Sequence, residues 1–284
     1  MSKIVRERSI TVLSCSAGKT SNYSDLFGVV IAATPSPPHV VCLTGIRSDC
    51  YAAMVREFKS RGYGCHGSKE CGIAILSRVP VWGTTSVGFS AGTEKVIIQE
   101  YHFPRDFAPP GANSGVSSGS HLGASEGLSS QKFEDVESIG EPSINLRFLV
   151  AKMSLDSVSR RSQISQLHAL SGLAFGGDLH PPQGGTGVDA TIFAGDTSLP
   201  GWQMGSGDVV PAAGWWDAWR EMGTAGGEVT RSDTGDRPDR IWYAGMRCTR
   251  FETIPDHCPP TLAGETTDLG VTGECSAIFA EFVF

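Results

Sequence analysis

Residues 190–199 read ATIFAGDTSL, and the apolar run Ile192 to Ala194 ends in Gly195-Asp196-Thr197-Ser198. A short, continuous apolar run closed by a glycine turn predicts a buried strand. Asp196 then stands just past the strand end, where a carboxylate can hold a metal ion or a catalytic water.

Strands and helices alternate on either side of this stretch. Upstream, Ile10 to Cys15 and His39 to Leu43 predict buried strands, as do Gly72 to Leu76 and Leu146 to Lys152. Val87 to Phe89 and Lys95 to Phe103 predict a strand pair turning at Ala91-Gly92-Thr93. Helical spacing marks Asn22 to Ala33, which Pro35 and Pro37-Pro38 close. Ser48 to Arg61 predicts a helix capped by Ser48 or Asp49, with a stripe of Tyr51, Met54, Val55 and Phe58. In Val158 to Phe175, Ile164, Leu167, Leu170 and Leu173 line one face, with Arg160 and Arg161 off it. Downstream, Trp215 to Met222 predicts a helix, followed by strands at Arg240–Tyr243, Cys248–Ile254 and Ser276–Phe284. Two stretches, 105–143 and 176–189, are crowded with Gly, Ser and Pro and read as loop insertions rather than domains. The expected architecture is α/β: two mixed sheets packed face to face with helices outside, in one domain spanning 1–284.

Hydrophobic residues make up 40% of the 284 and charged residues 19%, enough for a buried core. The net charge of −7 argues against a surface that grips nucleic acid broadly, because such affinity comes from Lys and Arg on phosphates. A local basic patch stays open. The eight cysteines include Cys15 and Cys42 inside apolar runs, where thiols act as small hydrophobes, and no CxxC pair occurs. That usage predicts a reducing compartment inside the cell, without separating cytoplasm, nucleus and mitochondrion. Cys248, His257, Cys258 and Cys275 match no standard zinc spacing. The N-terminal MSKIVRERSITVLSC holds no apolar signal region, and no run of about 18 apolar residues occurs, so neither a signal peptide nor a membrane span is expected.

A series of motifs then falls in order. The first strand ends Ser14-Cys15-Ser16, and the second, VVCLTGI, ends in Thr44-Gly45. CGIAILSRVPV follows from Cys71, then Met153-Ser154-Leu155-Asp156-Ser157, then FAGDTSL. Asp217-Ala218-Trp219, Asp236-Arg237-Pro238-Asp239-Arg240-Ile241-Trp242-Tyr243 and Thr272-Gly273-Glu274-Cys275 complete it. In this order the chain resembles the endonuclease/exonuclease/phosphatase superfamily, and most closely its tyrosyl-DNA phosphodiesterase 2-like branch. There the corresponding landmarks read TWN, QE, ILSR, SHLES, GDTNL, DAW, RxDRI and SDH.

The resemblance implies a two-sheet sandwich and, in active members, a magnesium-dependent phosphodiesterase. It implies that the QE glutamate ligates Mg²⁺ and that the two Asn, the GDTN Asp and two histidines position phosphate and water. This chain departs at most of these places: Ser16, Gly45, Ser154, Ser198 and Cys275 replace Asn, Glu, His, Asn and His. Asp196 and Asp239 keep the family residue, and Glu274 keeps an acid one methylene longer. Glycine offers no oxygen ligand to a hard cation, and neither serine nor cysteine replaces an imidazolium. Losing the metal carboxylate and both histidines together removes most of the original chemistry, each general acid or base contributing roughly 10²–10⁴-fold, non-additively. Asp196 and Asp239 are therefore read as vestigial.

Other signals weaken on inspection. Ala17-Gly18-Lys19-Thr20 mimics a P-loop tail, but Leu13 stands where the motif needs its first glycine. Asp256-His257 looks like a displaced catalytic pair, although Glu274-Cys275 fits the spacing before the last strand better. His168 reads as a packing residue, Trp215, Trp216 and Trp219 as core and rim, and His66 and His121 as loop residues. The expected function is a non-catalytic scaffold or subunit of a larger assembly, such as a ribonucleoprotein of the organellar-ribosome kind. Protein partners are expected, nucleic acid only locally or indirectly, and neither a cofactor nor a membrane. A residual Mg²⁺- or Mn²⁺-dependent phosphodiesterase is the alternative, and a small-molecule binding module in the old cleft a third.

Overall fold

The computed structural model describes residues 9–17, 34, 36–103, 143–172, 187–199, 214–222, 239–254 and 277–284. Within them, β1 (Ser9–Ser16), β2 (Val40–Thr44), β3 (Gly64–Ser68), β4 (Ile73–Ser77), β11 (Arg247–Ile254) and β12 (Ala277–Val283) form one sheet, ordered β11-β12-β1-β2-β4-β3. The other sheet joins β5 (Gly83–Gly88), β6 (Lys95–Phe103), β7 (Ile144–Lys152), β8 (Ala190–Asp196), β9 (Trp216–Asp217) and β10 (Asp239–Ala244), ordered β5-β6-β7-β8-β10-β9. Parallel pairs sit at the centre of each sheet, β1 with β2 and β7 with β8, and antiparallel pairs surround them.

Side-chain alternation sorts each central strand into two faces. Val12, Val40, Cys42, Phe148, Val150, Ile192, Ala194, Ile241, Tyr243 and Ile278 meet between the sheets. The intervening residues face outward onto helices. Leu13, Val41 and Leu43 pack against Met54 and Phe58 of α1 (Tyr51–Ser60). Leu149, Phe193 and Trp242 pack against Leu167 of α2 (Ser157–Leu170). A strand buried on both faces needs unbroken apolar sequence, which is why β2, β4 and β8 read as continuous runs. Each fully buried Leu, Ile or Phe in them contributes about 1.5–3 kcal/mol. Among the described residues no helix is long and apolar enough to cross a membrane.

Several expectations need correction. The helix expected over Ser48–Arg61 starts at Tyr51, and neither Ser48 nor Asp49 caps it: the Arg47 guanidinium holds both Asp49 carboxylate oxygens, at 3.2 and 2.6 Å. The long helix ends at Leu170 rather than Phe175, because Gly172 turns the chain out at φ +69°. Its N-terminus is capped by the Asp156 carboxylate, which accepts from the Ser159 N–H at 2.8 Å. Arg160, off the apolar face, is nevertheless buried, its guanidinium donating to the carbonyls of Leu155 (3.2 Å) and Ser198 (2.8 Å). Trp216-Asp217 pairs with β10 as a strand, leaving only Ala218–Met222, α3, as helix. His66 lies on β3, whose Gly-Cys-His-Gly-Ser sequence carries no strand signal; pairing with β4 imposes it. Cys15, Cys42 and Cys248 are buried, and Cys248 Sγ points to the Arg250 carbonyl at 3.3 Å. Asn22–Ala33, Leu173, His121, the other three zinc-set residues, the 176–186 part of the second loop and all of the 105–143 insertion except Ser143 lie outside the described residues.

Candidate active site

β8 is held between β7 and β10 and is buried along its whole length. Ile192 and Ala194 face the inter-sheet core, so alternation places Asp196 on the same side. Asp239 opens β10 on that side too, since Ile241 and Tyr243 belong to the inter-sheet core. The register puts Asp239 directly across from Asp196. Both are almost fully buried, at 2% and 9% exposure. The two aspartates are therefore brought together.

The turn after Asp196 is built from its own carboxylate. Asp196 Oδ1 accepts from the Ser198 N–H at 2.8 Å, an Asx turn, and Ser198 Oγ lies 3.2 Å away. The same hydroxyl reaches the Met153 carbonyl at 3.1 Å, and the Met153 N–H donates to the Asp196 carbonyl at 2.8 Å. Ser198 holds φ +50°, the one non-glycine left-handed residue among the described residues, and Arg160 pins its carbonyl. Gly195 is required by close approach: a Cβ there would collide with the Ala151 carbonyl oxygen. Ser154 closes the β7–α2 turn, its N–H donating to Gln163 Oε1 at 2.9 Å and its hydroxyl accepting from the Asp156 N–H.

From the facing sheet, β1 and β2 pack against β8 and β10. Ser16 pairs with Thr44 at their C-terminal ends, and Ser14 pairs with Cys42. Ser14 and Thr44 lie on the inter-sheet face by alternation with Val12 and Cys42. Both are fully buried, and neither hydroxyl has a hydrogen-bond partner among the described residues. Gly45 follows at φ +69°, with no side chain to present. Glu274, Cys275 and the Asp256-His257 pair lie outside the described residues.

Two further charged residues flank the site, Lys152 on its rim and Arg240 on the other face of β10. Lys152 is the register partner of Asp196 on β7 and is exposed at the rim. Arg240, directly after Asp239, is buried to 1% and paired with Asp217 at 3.3 Å. Its Nε and Nη2 have no hydrogen-bond partner among the described residues, and burial holds the guanidinium below its ordinary pKa against the pull of Asp217. Asp217 also accepts from the Trp219 N–H at 3.0 Å. The fitting of Asp217 to DAW and Arg240 to RxDRI in the sequence held this pair, but no spacing rule joins positions 23 apart on different strands.

No family model and no curated protein matches the chain. Solved structures do. The chain is similar to TDP2 from D. rerio complexed with single strand DNA product, at 13% identity and TM-score 0.59, covering 96% of this chain and 98% of that one. It is similar to truncated TDP2 from Caenorhabditis elegans, at 15% identity and TM-score 0.56, covering 97% and 98%. It is also similar to an endonuclease/exonuclease/phosphatase family protein from Bacteroides thetaiotaomicron, at 11% identity and TM-score 0.56, covering 99% and 96%. The chain has the endonuclease/exonuclease/phosphatase fold.

That fold implies a magnesium ion in active relatives, and the described residues do not fit one. Mg²⁺ takes oxygen ligands in near-octahedral order, usually with carboxylates among them. Directly after β2, where the resemblance implies a glutamate ligand, Gly45 has no side chain. Asp196 commits Oδ1 to its own turn. Among the described residues no group of three or more His, Cys, Asp or Glu side chains is placed to hold a metal.

Proposed function

We propose that this endonuclease/exonuclease/phosphatase fold has lost catalysis and serves as a scaffold or subunit of a larger assembly. A ribonucleoprotein such as an organellar ribosome is the assembly we favour, with protein partners and at most local contact with nucleic acid in this acidic chain. We place it inside the cell in a reducing compartment. The observation that carries the reading is Gly45, at φ +69° directly after β2, which offers no ligand side chain where the resemblance implies a glutamate. A glutamate there would need both a new side chain and a backbone conformation that side chains avoid. The serine positions support the same reading, since Ser198 and Ser154 are occupied in turn hydrogen bonds. The test is the size of the particle in which the protein is isolated from its native source. A high-mass complex is expected, and a free monomer throughout would sink the proposal.

The second reading, residual Mg²⁺- or Mn²⁺-dependent phosphodiester hydrolysis, draws on the opposed Asp196 and Asp239. Its test is turnover of bis-p-nitrophenyl phosphate or a 5′-tyrosyl oligonucleotide with either ion. Turnover lost in Asp196→Ala would establish it, and turnover no greater than that of the variant would remove it.

A further inference from the structure

β3 and β5 end their two sheets and face each other across a cleft of about 360 Å³. Each pairs on one side only, β3 with β4 and β5 with β6. Among the described residues no backbone hydrogen bond reaches the outer edge of either strand. An open edge is a row of unpaired N–H and C=O groups, and sheets ordinarily blunt it with charge, proline, a bulge or short length. The far edges of these sheets are blunted that way. β11 carries Arg247, Arg250 and Glu252 with a register shift at Cys248/Arg250, and β9 has two residues. β5, Gly-Thr-Thr-Ser-Val-Gly, and β3, Gly-Cys-His-Gly-Ser, have no charge, no proline and no bulge.

The surroundings of β5 also suit a guest. Trp82 immediately precedes it, 68% exposed, its ring set edge-on against His102 at 4.9 Å. Tryptophan is among the side chains that most often anchor a protein partner, and Trp82 lies outside the β3–β5 cleft. Tyr51, Val55, Cys65, His66 and Ile97 line the cleft with Thr84 and Ser86, and among the described residues none of the lining side chains carries a carboxylate, ammonium or guanidinium.

We propose that the β5 edge takes an extended, uncharged segment of a partner protein as a seventh strand of its sheet. Alternate side chains of that segment enter the β3–β5 cleft. The inference rests on the scaffold reading and names the partner's chemistry. Six residues of β5 span about 20 Å, matching a guest of about six residues. A second copy of this chain fits worse, because its own β5 would offer Thr84 and Ser86 to a cleft walled by Val55, Ile97 and Tyr51.

The test is amide hydrogen exchange on the full chain, free and within the assembly isolated from its native source. The β5 amides are expected to exchange at least tenfold more slowly in the assembly, with β11 amides unchanged. Thr84→Lys/Ser86→Lys, which puts two charges into the cleft from exposed positions, is expected to abolish incorporation while the free variant keeps its melting temperature. If that variant does not fold, the wild-type exchange comparison still decides. Membership of an assembly with β5 exchange unchanged overturns this inference and leaves the scaffold reading standing; a free monomer overturns both. Protection of β5 that grows with concentration of the pure protein assigns the edge to a second copy and overturns the partner assignment.

Discussion

Asp196 and Asp239 stand directly opposite each other on adjacent antiparallel strands, on the inter-sheet side and almost out of water. Like charges placed so repel, by about 0.2–1 kcal/mol across a strand pair, unless a cation lies between them. Asp196→Asn keeps the oxygen that accepts from the Ser198 N–H and removes one charge. With no resident cation, the variant is expected to melt at or slightly above the wild type, and millimolar Mg²⁺ is expected to move neither. A Mg²⁺-dependent rise in wild-type melting temperature that Asp196→Asn abolishes would show a held ion.

Gly195 is fixed by the backbone it touches. Gly195→Ala drives a methyl group into the Ala151 carbonyl in the parallel β7–β8 pair, with no flexible side chain to give way. A loss of about 2–4 kcal/mol is expected in urea unfolding. A cost below about 0.5 kcal/mol would mean that the strands are spaced differently.

The buried Arg240–Asp217 pair is predicted to be asymmetric under mutation. Asp217→Ala strands a guanidinium whose Nε and Nη2 have no partner among the described residues, and is expected to cost about 3–5 kcal/mol. Replacing both residues with apolar ones of similar volume is expected to cost much less. Equal losses in the single and double variants, measured by denaturant midpoint, would contradict this.

Acid sensitivity is expected from the opposite end of the sandwich. His39 Nδ1 accepts from the Thr11 N–H at 3.0 Å, so a proton there breaks that bond. Burial, aided by the Arg78 charge, lowers its pKa from 6.5 to about 4. The unfolded chain therefore takes up the proton first as pH falls. The stabilisation is fully present above about pH 6.5 and is lost progressively between there and about pH 4, on the order of 2–3 kcal/mol. His39→Gln is expected to flatten that part of the stability–pH curve; an unchanged slope would place the titration elsewhere.

The sequence by itself determined the sandwich. β2, β4 and β8 are buried on both faces, so each had to be written as a near-continuous apolar run, and Asp196 at the end of one of them was visible for the same reason. The departures of Ser16, Gly45, Ser154 and Ser198 from the resembled motifs are likewise legible in the sequence, because they are matters of residue type alone. Only the tertiary structure decided what lies between elements far apart in the chain. It set Asp239 against Asp196, buried Arg160 under the Ser198 carbonyl and Arg240 against Asp217, and made strands of Gly-Cys-His-Gly-Ser and Trp216-Asp217. These depend on register and on hydrogen bonds between distant segments, which local periodicity does not encode. The open β3 and β5 edges belong to the same class, since an edge is defined by the neighbour a strand does not have.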